Sequence, residues 1–210
     1  MAKRIGVLRF PGTNCDNDVF EYVQAKGYQA QWLWHNDQQD LQSLEAVILP
    51  GGFSFGDYLR SGALAAQSPM MNSVRKFHDF GGPILGICNG FQILCESGLL
   101  PGALTKNSSG RFIHKSVQLN VVSRANYFGP ARESIQLPVA HGDGRYVIDD
   151  PERLEEQGQV WLKYQSEVNG SMGRIAGVLS KCKKVAGLMP HPERAIYSWM
   201  ESQDGLGFLP

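Results

Sequence analysis

Long apolar runs are missing from this chain of 210 residues. No stretch approaches the ~20 apolar residues a membrane-crossing helix needs. The apolar part of the N-terminus ends at Arg9 and is too short for a secretory signal. Net charge is missing too: twenty basic residues balance twenty acidic ones, which argues against a nucleic-acid or membrane-surface partner and leaves only local patches open. Cysteine is scarce. Cys15, Cys88, Cys95 and Cys182 form no C-x-x-C pair and no zinc spacing, so the expectation is reduced thiols in a cytoplasmic protein and no metal site. Neither G-x-x-x-x-G-K nor a clean G-x-G-x-x-G occurs, so the chain carries no phosphate loop. Repeats, low-complexity segments and linkers are absent, which predicts one domain over residues 1–210.

Twenty-four glycines and 42% hydrophobic residues suit a globular chain with one substantial core and many tight turns. Lys3 to Leu8 reads as a strand. Asp16 caps a helix that runs to Lys26 and stops at Gly27, Tyr28 to Trp34 reads as a strand, and Ala46 to Leu49 as another. This alternation predicts α/β organisation, a mostly parallel sheet with helices on both faces. Past Leu99 the rhythm changes. Val117–Val122, Ile135–Ala140, Val160–Tyr164 and Ile175–Leu179 read as strands of a more antiparallel half, and Pro151 to Glu156 as a helix behind the Asp149-Asp150 cap.

Pro83-Ile84-Leu85 leads into Gly86-Ile87-Cys88-Asn89-Gly90-Phe91-Gln92, followed by a helical rhythm as far as Gly98. Strand, tight turn and helix in that order place Cys88 at the apex of a nucleophile elbow. The backbone N–H of Asn89 would face the oxygen of an attacked carbonyl, and the helix N-terminus adds partial positive charge. A buried cysteine acting as a small hydrophobe is the alternative. The loop Pro50 to Tyr58 is either a sharp turn or, beside an elbow, the source of a second oxyanion donor at Gly52.

Met189-Pro190-His191-Pro192-Glu193-Arg194 follows the predicted strand Lys184–Leu188. In an extended chain His191 and Glu193 project to the same side. A nucleophilic cysteine needs a base, and that imidazole needs a carboxylate to hold it, so Cys88, His191 and Glu193 supply a complete set. Active sites of such sheets gather at the carboxyl ends of the strands, where the loops at Pro11, Gly51 and Cys88 would meet.

Gly86 to Gln92 together with Pro190-His191-Pro192-Glu193 resembles the triad, or class I, glutamine amidotransferases. Arg9 to Asp16, Pro50 to Arg60 and Met189 to Arg194 narrow the likeness to members serving purine synthesis. The resemblance implies a three-layer, flavodoxin-like fold with additional antiparallel strands. It also implies glutamine hydrolysis through a Cys88 thioester, Gly52 and Asn89 as the oxyanion hole, and Gln92 and Gly51 at the substrate. Ammonia would pass to a separate large synthetase subunit that uses ATP and Mg, with a small accessory subunit alongside; this chain itself would carry no cofactor. Phe55, Tyr58 and Arg60 are candidates for that interface, with core packing as the alternative for Phe55. Another triad amidotransferase, a cysteine peptidase and a non-catalytic glutamine sensor are the rival readings. Glu167-Val168-Asn169-Gly170-Ser171 stands where the family pattern is closer to Asn-Pro-Asn-Gly-Ser. His141 is a candidate contact for substrate or partner. Cys15 is either structural or close to the site, Cys95 packs inside and Cys182 is a surface thiol.

Overall fold

The computed structural model describes residues 3–124, 126–130 and 132–209; the Met1-Ala2 part of the N-terminal reading lies outside the described residues. Eleven strands and four α-helices follow one another along these residues. The first half runs β1 (Arg4–Arg9), α1 (Asp16–Ala25), β2 (Gln29–Trp34), β3 (Ala46–Leu49), α2 (Pro69–Asp79), β4 (Ile84–Ile87) and α3 (Asn89–Glu96). The second runs β5 (Ala103–Thr105), β6 (Ile113–Val121), β7 (Ser134–His141), β8 (Arg145–Val147), α4 (Pro151–Glu156), β9 (Val160–Tyr164), β10 (Ile175–Leu179) and β11 (Val185–Leu188).

Nine strands make one sheet in the order β2-β1-β3-β4-β11-β10-β9-β6-β7, and β5 pairs with β8 apart from it. β2, β1, β3, β4 and β11 are parallel; from β11 onward every pairing is antiparallel. The parallel strands β3, β4 and β11 read AVIL, ILGI and VAGL and are buried at every residue, as expected where both faces are covered. β7 alternates instead, with Ile135, Leu137, Val139 and His141 buried. Its neighbour β6 follows the same two-residue rhythm over Val117, Leu119 and Val121, so this end of the sheet covers one face only.

Connection handedness places the site. The chain steps from β1 to β2 in one direction across the sheet and from β3 to β4 in the other. With right-handed crossovers, α1 and α2 then fall on opposite faces. The reversal lies between β1 and β3, where the loops leaving the two carboxyl ends diverge and open a crevice. β4 and β11 are parallel to β3, so their carboxyl ends open on the same edge.

Several boundaries differ from the sequence reading. Asp16 is not the cap of α1 but its first residue: Cys15 occupies the cap position without a side-chain cap bond, and Asp16 forms an ion pair with Arg9. Asp150 does cap α4, accepting from the Arg153 N–H at 2.9 Å. The short strands β5 and β8 had no sequence signal, since three residues give too little alternation to read. Among the described residues, no helix is long and apolar enough to cross a membrane.

Candidate active site

Cys88 ends β4 and precedes α3 with φ 51° and ψ −106°. A non-glycine residue holds such angles only when its surroundings fix both flanks, at a cost of roughly 1–3 kcal/mol. On one flank the Cys88 N–H donates to the Leu188 carbonyl at 2.8 Å, tying the elbow to β11. On the other, Gly90 lets α3 lie directly on β3: a Cβ there would stand 1.9 Å from the Leu49 carbonyl oxygen. The thiol thus sits at the apex the sequence predicted, largely covered.

His191 and Glu193 come from the loop after β11. The His191 N–H donates to the Pro138 carbonyl at 2.9 Å, so β7 fixes this loop from the side. His191 is extended (φ −106°, ψ 90°), but Pro192–Arg194 form a 3-10 turn. The two side chains therefore meet across that turn, and not along a straight strand as the sequence suggested. His191 Nδ1 lies 2.7 Å from Glu193 Oε1, and both side chains are at most 2% exposed. Burial works against the charged imidazole, but the Glu193 carboxylate, and after it the neighbouring Cys88, outweigh it and hold His191 well above its ordinary range. A carboxylate at that distance also keeps the proton on Nδ1, leaving Nε2 as the basic atom.

The loop after β3, which carries Gly51 and Gly52, is shaped by the loop after β1, a connection the sequence did not reveal. Cys15 N–H donates to the Gly51 carbonyl at 3.2 Å, Phe53 N–H to the Gly12 carbonyl at 2.9 Å and Phe55 N–H to the Pro11 carbonyl at 2.7 Å. Gly52 takes φ 144°, open to glycine alone. Among the described residues, no hydrogen bond leaves the backbone N–H of Gly52 or of Asn89, so both are free to receive an acceptor. Gly51 is crowded by the site itself: a Cβ there would meet His191 Cε1 at 2.8 Å, Cys15 Sγ at 3.2 Å and Cys88 Cβ at 3.3 Å.

Gln92 is buried and its amide is engaged at both ends. Its Oε1 accepts from Asn89 Nδ2 at 2.8 Å, and its Nε2 donates to the Asp143 carbonyl at 2.6 Å. Asn89 Oδ1 in turn accepts from the Ser54 N–H at 3.2 Å. One amide pair thereby braces the elbow, the Ser54 loop and the 141–144 segment together. That segment has its own support. Asn107 Oδ1 faces His141 Nδ1 at 3.0 Å and accepts from the Gly144 N–H at 3.1 Å; Asn169 Nδ2 donates to the Gly144 carbonyl at 2.7 Å. The 167–171 loop, which departs from the family pattern, thus holds the His141–Asp143 wall from behind. Burial, and then the charge of His191, push the His141 imidazole down to about 4, so it is neutral near pH 7.

A cleft of about 270 Å³ connects these parts, lined among others by Gly52, Asp57, Cys88, Gln92, His141 and His191. Phe55 turns out to be packed inward, its ring 5.2 Å from His35 and 6.5 Å from Phe10. Tyr58 remains exposed, and Arg60 pairs with Glu96. Cys95, in the last turn of α3, is part-buried, and burial drives its thiol upward; Cys182 is exposed. Cys15 is at the site, its Sγ 3.2 Å from Arg194 Nη2.

An elbow cysteine, a buried His–Glu pair and two free N–H groups at one sheet edge are the apparatus of a glutamine amidotransferase. The chain belongs to that family: its CobB/CobQ-like glutamine amidotransferase domain matches residues 2–205. Within the family the chain is 49% identical to the phosphoribosylformylglycinamidine synthase subunit PurQ of Wolinella succinogenes, over 98% of this chain and 97% of that one. It is also 49% identical to the PurQ subunit of Rubrobacter xylanophilus, over 98% and 96%. The solved structure of PurLQS from Thermotoga maritima contains a chain that superimposes with a TM-score of 0.91 at 46% identity, covering 99% of this chain and 95% of that one.

Proposed function

We propose that this chain is the glutaminase subunit of phosphoribosylformylglycinamidine synthase, built as one amidotransferase domain over residues 1–210. The observation that carries the reading is the buried His191–Glu193 pair, 2.7 Å apart, placed beside a cysteine held at positive φ between strand and helix. Near-full-length identity of 49% to PurQ subunits supports the particular synthase.

His191 Nε2 takes the thiol proton and Cys88 Sγ attacks the side-chain amide carbon of glutamine. The Gly52 and Asn89 N–H groups hold the negative oxygen, a stabilisation worth about 2.7–4 kcal/mol for a single donor. His191 returns its proton to the departing ammonia, leaving a glutamyl thioester. Water, deprotonated by His191, then cleaves that thioester to glutamate and the free thiol. Glu193 fixes the tautomer of His191 and stabilises its charged form. Gln92 positions the helix start through Asn89, and Gly51 keeps the space between Cys88 and His191 open.

Ammonia passes to a large synthetase subunit, which uses ATP and Mg to convert formylglycinamide ribonucleotide to the amidine, with a small accessory subunit in the complex. The assembly works in the cytoplasm, and the exposed Tyr58 and Leu59 beside the cleft form part of the synthetase contact. Labelling with a glutamine-like electrophile tests the site. A single adduct on Cys88, prevented by glutamine and absent from Cys88→Ser, is expected; labelling that glutamine does not prevent, with the synthetase present, would overturn the reading.

A further inference from the structure

His141 Nε2 is buried and has no hydrogen-bond partner among the described residues. The residue ends β7 and lines the cleft together with Cys88 and His191. Its neighbour Ala140 presents a carbonyl 3.8 Å from Cys88 Sγ, so this end of β7 faces the thiol. The ring is also fixed in place. A Cβ at Gly144 would run into the imidazole, and the glycine lets the backbone of that turn lie directly against it.

Which ring nitrogen holds the proton follows from Asn107. Its Nδ2 donates to the carbonyls of Arg111 and His141, both at 2.8 Å. Both bonds need an NH2, so the amide has one orientation. Asn107 Oδ1 then accepts from the Gly144 N–H at 3.1 Å, and it can only accept from His141 Nδ1 at 3.0 Å. The imidazole is neutral near pH 7, because burial and then His191 push it down to about 4. A neutral ring has one proton, and Nδ1 holds it. Nε2 is therefore a committed acceptor, and a buried acceptor left alone is costly.

The side-chain amide of glutamine brings the donor that is missing. With its oxygen on the Gly52 and Asn89 N–H groups, its NH2 needs acceptors elsewhere in the cleft. Asp57, Asp143 and Gln92 also line that space, but each already accepts a bond, from Asn89, Ser61 and Asn89 respectively. We propose that His141 Nε2 accepts an N–H of the scissile amide and makes His141 the residue that separates glutamine from glutamate. Glutamate has oxygen at both positions, so one oxygen meets a lone pair where glutamine gives an N–H. A site built to take an N–H rejects the analogue that lacks it. The same mismatch arises once ammonia has left and the thioester is hydrolysed, and it helps expel the product. This assignment rests on the function proposed above and names what selects its substrate.

Two substitutions at this position separate the two ring nitrogens. Asparagine reproduces Nδ1 and keeps the bond to Asn107; glutamine reaches the place of Nε2 and offers an oxygen there. The assay is hydrolysis by the full chain in complex with the synthetase, using glutamine, the γ-methyl ester of glutamate, which has no N–H to give, and glutamate as inhibitor. In His141→Asn, kcat/KM for glutamine should fall about tenfold, the scale of one lost hydrogen bond, while the value for the ester holds or rises. Glutamate should inhibit this variant at lower concentration, and His141→Gln should recover part of the preference. Asn107→Asp draws a second proton onto the ring and turns Nε2 into a donor, so it should shift the glutamine-to-glutamate preference the same way without touching substrate. Equal losses with glutamine and ester, or a larger loss of preference in His141→Gln than in His141→Asn, would overturn the assignment, because a merely structural histidine behaves so. Should both His141 variants fail to fold by circular dichroism, an unchanged preference in Asn107→Asp overturns it. A parent complex that releases no glutamate from glutamine would strike the functional reading and this inference with it.

Discussion

Replacing Glu193 by glutamine removes one charge and little volume from a buried polar contact. At an N···O separation of 2.7 Å and an effective dielectric of about 20, the gross attraction in the charged pair is about 6 kcal/mol. Desolvation of the two ions, several kcal/mol each, takes back much of it. The net effect on folding is therefore modest, and the larger consequence is kinetic. Without the carboxylate, the largest of the charges raising His191 disappears while burial, which lowers it, stays; the imidazole then falls in pKa. Each unit of that fall costs about 1.4 kcal/mol of the charged imidazole that must form as Cys88 attacks. The glutamine amide can also turn its NH2 toward Nδ1 and select the wrong tautomer. Together these effects should lower kcat by roughly 10²–10⁴ with little change in KM. The assay is steady-state glutaminase of the variant in complex with its synthetase, alongside the pH dependence of Cys88 alkylation. A kcat and alkylation profile indistinguishable from the parent would refute the assignment of Glu193.

The same pair predicts how stability varies with pH. His191 is raised in the folded chain, so its contribution is full below about pH 6.5, the free imidazole value, and fades as pH climbs through the elevated folded value. The melting gap between the parent and Glu193→Gln should accordingly narrow in alkali, measured by thermal unfolding. His141 has the opposite sign: its pKa is lowered to about 4, so stability is lost as pH falls from about 6.5 toward that value, by a few kcal/mol at most. His141→Asn should flatten this acid limb. Gly51→Ala should abolish glutaminase with the fold intact by circular dichroism, because the added methyl lands 2.8 Å from His191 Cε1; retained activity would refute the crowding. Gly90→Ala should instead lower stability, because its methyl meets the backbone of β3 at 1.9 Å. Overpacking of that kind costs about 1–3 kcal/mol, a fall of several degrees in melting temperature.

Much of this molecule was legible in its residues. The buried strands Ala46–Leu49 and Ile175–Leu179 announced themselves because full burial demands short apolar runs bounded by turns. The turn at Cys88 was legible because its glycines stand within two positions of it. His191 and Glu193 were legible because their prolines and their spacing are local. Each of these signals is written within about ten consecutive residues, and short-range sterics and hydrophobic patterning are enough to read it.

Contacts between loops were decided elsewhere. Nothing in Phe10-Pro11-Gly12 says that its carbonyls will hold Phe53 and Phe55, and nothing in Cys15 says that its thiol will lie against Arg194, 179 positions away. The family comparison could flag the 167–171 loop as a departure, but its hydrogen bonds from Asn169 to Gly144 gave it a role. Gln92 was marked as a substrate contact, and the fold showed its amide held at both ends by Asn89 and Asp143. The physical reason is common to all of them. Sequence patterns record which face of an element is apolar. The pairing of polar groups from distant loops depends on strand order, and strand order is set only when the whole sheet closes around one core. Parallel strands β1, β3, β4 and β11 bring four loops to one edge, and at that edge separate signals become one site.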